Sequence, residues 1–184
     1  MPDWPRIPGE GKGSFYGYGK FYEVEAMDEW YRMPGLPSSE LEVENGSVWV
    51  RNNNLLKLGI DSNNNTDLSS LKKFKPGAIQ ILSLPRQNKI DSRAIPNIAH
   101  LTGLKALYFG GAKITNQDLA KLTALENLLK LDLSGCPIDD GAVEHLLEMD
   151  SLKFLRLYDT GITAEGMERL EQGLPDCLIR WRKQ

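Results

Sequence analysis

Leu128-Leu129-Lys130-Leu131-Asp132-Leu133-Ser134-Gly135-Cys136-Pro137-Ile138-Asp139-Asp140 decides the fold of this chain. Leucines at 128, 131 and 133 form an LxxLxL pattern, a turn follows, and Ile138 precedes an aspartate suited to starting a helix. The pattern recurs on both sides: Leu55, Leu58, Ile60; Ile79, Leu82, Leu84; Leu104, Leu107, Phe109; and Leu152, Leu155, Leu157. Successive copies are 24, 25, 24 and 24 residues apart, so one structural unit repeats through two thirds of the chain.

Each of the last four copies leads to a helix-start signal: Ile90-Asp91, Ile114-Thr115, Ile138-Asp139 and Ile162-Thr163. Asp and Thr side chains accept hydrogen bonds from the free N–H groups of a first helical turn. Apolar residues spaced by threes and fours follow, as in Leu119, Leu122, Leu125; Val143, Leu146, Met149; and Met167, Leu170, Leu174. That spacing gives a short helix one buried face. Each unit is therefore a strand, a turn and a helix, and none can bury its apolar side alone. Stacking solves this: the strands pair in parallel and the helices pack on one side of the sheet. Repeat one is irregular, because Leu71 and Phe74 fall one place late.

These registered copies resemble the leucine-rich-repeat family in its ribonuclease-inhibitor-like form, and in particular the 24-residue bacterial type. The resemblance covers residues 55–184. It implies an α/β fold: a short right-handed solenoid with a parallel sheet on its concave side. In that family the ninth repeat position carries Asn, Cys or Thr, which bonds the backbone at the turn. Here the position holds Asn63, Gln87, Ala112, Cys136 and Thr160, and Gln87 and Ala112 depart from the pattern. The resemblance also implies that Leu174 to Trp181 is a closing half-repeat, with Ile179 and Trp181 on a last strand and Cys177 as a cap residue.

The chain thus divides into a tail at 1–13, rich in Pro, Gly and charge and expected to be disordered; an aromatic-rich β cap at 14–54; five repeats at 55–175; and a C-terminal capping half-repeat at 176–184. Within the cap, Ser39 to Arg51 reads as a hairpin closed by Asn45-Gly46, with Val43 opposite Val48. The preceding stretch, Phe15-Tyr16-Gly17-Tyr18-Gly19-Lys20-Phe21-Tyr22-Glu23-Val24, is β-prone, with Trp30 and Tyr31 close behind, and is expected to add a strand pair to the same cap.

Function in such a scaffold falls to the side chains that alternate away from the core. In the C-terminal half these are Tyr108, Lys130, Asp132, Phe154, Arg156, Tyr158, Arg180 and Arg182, which form the candidate binding patch. Aromatic residues beside arginines suit a protein partner with an acidic segment. The alternative is a nucleic acid or a phosphorylated ligand held by the basic residues, with rings stacking on bases. No membrane partner is expected, and the chain is expected to be a monomer or a weak dimer.

The remaining features point away from catalysis. Twenty-two Lys and Arg against 25 Asp and Glu leave a net charge of -3, which gives no global attraction to anionic polymers. Gly9-Glu10-Gly11-Lys12-Gly13-Ser14 lacks the spacing and the Lys-Ser/Thr pair of a phosphate loop. His100 and His145 have no second ligand at metal-binding spacing, and Asp139-Asp140 reads as helix capping. No catalytic residue, cofactor or metal site is therefore expected. Two cysteines are too few for a disulfide scaffold, and the first residues hold no apolar run of signal-peptide length, so a cytoplasmic location is expected.

Overall fold

In a computed structural model the described residues are 68–84 and 90–182, together with the backbone of four short strands nearer the N-terminus: β1 (Arg6–Pro8), β2 (Glu42–Glu44), β3 (Ser47–Trp49) and β4 (Lys57–Gly59). Five further strands follow at the repeat period: β5 (Ile81–Ser83), β6 (Ala106–Tyr108), β7 (Lys130–Asp132), β8 (Phe154–Arg156) and β9 (Leu178–Arg180). Strands β4 to β9 form one parallel sheet in chain order. Its register aligns equivalent repeat positions: Leu58 with Leu82, Leu107 with Leu131, and Leu155 with Ile179.

Alternation along each strand sends Leu82, Leu107, Leu131 and Leu155 into one continuous core, where they are fully buried beside Leu104, Phe109, Leu128, Leu133 and Leu157. The core is closed by short helices: α1 (Ile95–Ile98), α2 (Asn116–Leu122), α3 (Val143–Leu147) and α4 (Ala164–Gly173). Leu119, Leu122, Val143, Leu146, Met167 and Leu170 supply their buried faces. In the irregular first repeat, a single 3-10 segment over Ser69–Lys73 replaces the α-helix, and Leu68, Leu71 and Phe74 are buried along it.

All four helix-start signals operate. Asp91 accepts from the N–H of Arg93, Asp139 from that of Gly141 at 2.8 Å, and Thr163 from that of Gly166, while Thr115 and Asp118 form a reciprocal capping box. Where aspartate caps, the first turn is a 3-10 turn, over Ser92–Ala94 and Asp140–Ala142, before the α-helix begins. At the ninth repeat position, Thr160 Oγ1 donates to the Leu157 carbonyl at 2.9 Å. Ala112 is simply buried there, while the buried Cys136 thiol is met by the backbone N–H groups of Gly111 and Ala112; the backbone N–H groups of Ala112 and Cys136 donate to the carbonyls of Phe109 and Leu133. An apolar side chain is tolerated at this turn because the main chain closes it.

One periodic feature went unread in the sequence. Gly111 and Gly135, with φ of 77° and 73°, and Asp159, with φ of 55°, are 24 residues apart and share the left-handed conformation that ends each strand turn. Glycine meets that requirement without strain, and aspartate is among the few other residues that tolerate it.

Strand β9 pairs with β8, Ile179 and Trp181 pack against the core, and Trp181 Nε1 donates to the Ile162 carbonyl at 3.1 Å. Near the N-terminus, β2 and β3 pair antiparallel with Val43 opposite Val48, the register expected from an Asn45-Gly46 turn. The third strand of that sheet is β1, which pairs with β3. Arg6–Pro8 lies inside the 1–13 stretch, whose composition indicates a disordered tail. Residues 15–31, the glycine-rich segment at 9–14 and the packing of this small sheet lie outside the described residues.

Candidate functional site

The sheet register lays the candidate patch out as rows running across the strands. Ala106, Lys130, Phe154 and Leu178 occupy one row, and Tyr108, Asp132, Arg156 and Arg180 the next. Because each lies one position from an aliphatic residue turned to the core (Leu107, Leu131, Leu155 or Ile179), all share the face turned away from the helices. Tyr158 and Arg182 continue this face beyond the ends of β8 and β9.

The rows are linked by charge and by rings. Lys130 Nζ stands 4.5 Å from the centre of the Phe154 ring, one strand over. Arg156 donates to Asp132 Oδ2 at 3.3 Å, and Asp132 Oδ1 accepts from the N–H of Ser134. The guanidinium of Arg156 lies 5.9 Å from the Tyr158 ring centre, and that of Arg182 lies 5.8 Å from the same ring. Tyr158 therefore sits between two cations, each within the range over which a ring quadrupole attracts positive charge.

Exposure divides the eight residues. Tyr108, Lys130 and Asp132 are buried, at 5%, 2% and 2% of their full accessible area. Phe154, Arg156 and Tyr158 are half-buried, and Arg180 and Arg182 are exposed. Alternation gives these eight residues one face, and along it the three on β6 and β7 are withdrawn from solvent. Burial shifts the Lys130 ammonium below its ordinary pKa, because the charged form has lost water. Leu178 on β9 is 44% exposed and is the large apolar side chain that the patch offers to solvent.

The residues considered for other chemistry have structural roles. Asp139 and Asp140 do not act as a carboxylate pair: Asp139 caps its own helix and bonds Asn116, while Asp140 accepts from the N–H of Thr163 at 2.9 Å and from its hydroxyl. His100 places Nε2 3.3 Å from the Phe74 carbonyl, tying α1 to the preceding repeat. Burial pushes the thiol pKa of Cys136 up to about 12 and that of Cys177 to about 11, far from the thiolate character a nucleophile needs. Among the described residues, no three His, Cys, Asp or Glu side chains are grouped to hold a metal ion, and no helix is long and apolar enough to cross a membrane.

Sequence reasoning missed a row of polar links at the helix starts. Ser92 donates to Asp118, Asn116 Nδ2 donates to Asp139 Oδ1, and Thr163 donates to Asp140; each bond joins one repeat to the next. Recurrence of Asp, Asn, Ser and Thr near the repeat period was the available signal, but it is hidden by their reading as single-helix caps.

No protein-family model matches the sequence, and no curated protein does either. Among solved structures, the chain is similar to an internalin of Listeria monocytogenes, with a TM-score of 0.52 and 22% identity over 70% of this chain and 41% of that one. It is also similar to internalin C2 of the same organism, with a TM-score of 0.47 and 23% identity over 70% of this chain and 61% of that one. A third likeness is to a protein of Leptospira interrogans, with a TM-score of 0.46 and 21% identity over 68% of this chain and 37% of that one. This chain therefore spans less than two thirds of the length of each.

Proposed function

Taking the chain as a leucine-rich-repeat solenoid by its fold, we propose that it is a protein-interaction module that engages a macromolecular partner through the C-terminal half of its concave sheet and performs no catalysis. Solenoids of this fold generally serve to bind proteins, because an extended sheet face is left over once the core is satisfied. The observation that carries the reading is Tyr158 held between the guanidiniums of Arg156 and Arg182, with Arg180 exposed on the neighbouring strand. A fixed ring flanked by cations gives a partner both an apolar platform and donors for carboxylates, the composition typical of binding hot spots. The partner in this reading therefore carries an acidic segment. Phe154 and Leu178 extend the platform, while Tyr108, Lys130 and Asp132 support it from below. A cytoplasmic setting in a bacterium belongs to the same reading.

The test is affinity capture from a bacterial lysate with wild-type protein and with a triple variant, Phe154→Ala, Arg156→Ala, Tyr158→Ala, shown by circular dichroism to be equally folded. A partner bound by wild type and lost with the variant supports the concave patch; retention of every partner refutes it. Exposed Arg180 and Arg182 favour one alternative, recognition of nucleic acid or of a phosphorylated ligand by the same patch. Salt separates the two: a complex led by phosphates weakens steeply between 50 and 200 mM salt, by about a thousandfold where six or more phosphates are neutralised, and a ring-led protein interface does not.

A further inference from the structure

The parallel sheet ends on β9, and among the described residues that strand has a neighbour on one side only. The N–H of Leu178 donates to the Lys153 carbonyl at 2.8 Å, and the Arg180 carbonyl accepts from the N–H of Leu157 at 2.8 Å, so both residues turn their main-chain groups toward β8. Because these groups alternate in direction along a strand, the N–H and C=O of Ile179 point to the outer edge of the sheet, where no described strand lies. An edge with free main-chain donors and acceptors is a template for one more strand.

We propose that the outer edge of β9 receives an extended segment of a protein partner as a seventh strand, and that apolar and acidic residues alternate along that segment. The two faces of β9 specify the alternation. On the core side Ile179 and Trp181 pack on the last of the apolar interior and are half-buried, so apolar side chains of the guest complete their cover. On the concave side Leu178 is 44% exposed, and Arg180 and Arg182 are exposed with no ion pair to a described residue. Carboxylates of the guest stand directly across from these guanidiniums, the pairing that suits neighbouring strands. Asp176, just before β9, is engaged by Lys153 at 3.6 Å, which leaves the edge basic. A second copy docked through its own β9 crowds the arginines of both copies onto one face, so charge favours an acidic guest. Main-chain bonds hold the segment, and the alternation selects it. That the added strand is the acidic segment of the partner proposed above rests on that reading; the edge site itself does not, because it lies one strand beyond Phe154 and Arg156.

The probe is a dye-labelled synthetic peptide of about eight residues that alternates valine and glutamate, titrated against the full chain by fluorescence anisotropy. Two further forms carry N-methyl groups, one on the valine nitrogens and one on the glutamate nitrogens. In an added strand with its valines toward the core, the two sets of N–H groups point to opposite edges. One methylated form should therefore lose at least about tenfold in affinity while the other binds within about threefold of the parent. Loss with the glutamate set marks a guest parallel to β9, and loss with the valine set an antiparallel one. Arg180→Glu combined with Arg182→Glu, shown by circular dichroism to be folded, should weaken the peptide at least about tenfold and bind a valine–lysine peptide in its place. The proposal is overturned by no binding of the parent peptide at about 1 mM, by equal behaviour of the two methylated forms, or by a charge swap that leaves the preference unchanged. A wild-type chain that sediments as a dimer and takes up no peptide overturns it in favour of a second copy on the edge. Lysate capture with the triple variant can fail while the peptide binds, and the reverse, so the two readings are judged apart.

Discussion

Asp118 is the residue through which the coupling of one repeat to the next can be measured most directly. Its Oδ2 accepts the hydroxyl of Ser92 from the preceding repeat, the N–H of Thr115 at 2.9 Å and the Thr115 hydroxyl at 3.0 Å, and Lys121 Nζ lies 3.6 Å from Oδ1. The side chain is almost wholly buried. Replacement by alanine leaves the Thr115 N–H and two hydroxyls without their acceptor. A hydrogen bond to a charged group is worth ~1.5–3 kcal/mol, and the two hydroxyls can rotate toward other partners, so Asp118→Ala should cost about 3 kcal/mol. Asp118→Asn keeps an acceptor oxygen and loses the charge, at about 1 kcal/mol.

The pH dependence separates charge from shape. Burial raises the Asp118 pKa, but the hydrogen bonds from Ser92 and Thr115, with the charge of Lys121, outweigh it, and the net shift is downward. A carboxylate whose folded pKa lies below its unfolded value of about 3.9 contributes stability fully above that unfolded value and loses it as pH falls through the folded one. The gap between wild type and Asp118→Asn in urea titrations should therefore hold steady from pH 8 to about pH 5 and narrow below about pH 4. A slope near 1.5 kcal/mol per molar urea would put the Asp118→Ala midpoint about 2 M below that of wild type. A midpoint shift under about 0.3 M, or a gap to Asp118→Asn that widens in acid, would refute the reasoning.

Gly111→Ala and Asp159→Ala should each destabilise by about 1 kcal/mol in urea titrations, since both force alanine into the left-handed region, whereas Asp159→Gly should stay within about 0.5 kcal/mol of wild type. With thiols raised to about 12 and about 11, Cys136 should react with a disulfide reagent at pH 8 only after unfolding, and Cys177 slowly in the native protein; rapid modification of both would show the buried positions to be wrong. Trp181→Ala should cost about 2 kcal/mol, because it removes the ring from the closing strand and leaves the Ile162 carbonyl without its donor, and calorimetry should show the lower melting temperature.

The architecture was legible because it rests on a period. Leucines at 131 and 155 serve the same purpose in the same place, so their spacing carries the strand register directly, and each helix start announced itself by an Asp or Thr next to an isoleucine. What could not be read depends on distances between repeats. Asp139 and Asp140 are adjacent in sequence, yet one bonds back to Asn116 and the other forward to Thr163. Tyr108 and Tyr158 both read as outward aromatics; the structure buries the first and leaves the second between two arginines. Alternation gives the face on which a side chain lies, and only packing gives how far water reaches it.

That separation makes the patch unusually open to test. In a globular core a residue beside a buried leucine cannot be changed without disturbing its neighbours. Here Leu155 faces the core while Phe154 and Arg156 on either side of it face the sheet surface, and the repeat's stability comes from the leucine side. Truncating Arg156 does leave Asp132 without its ion pair, and Asp132 is buried, so Arg156→Ala alone carries a stability penalty that would confuse a loss of binding with a loss of fold. Arg156→Ala combined with Asp132→Asn removes that difficulty: the amide keeps the acceptor for the Ser134 N–H without an unpaired charge. The double variant should restore stability to within about 1 kcal/mol of wild type. If it still fails to bind while Asp132→Asn alone binds normally, the guanidinium of Arg156 belongs to the interface; if it binds as wild type does, Arg156 serves the fold and the partner is held elsewhere.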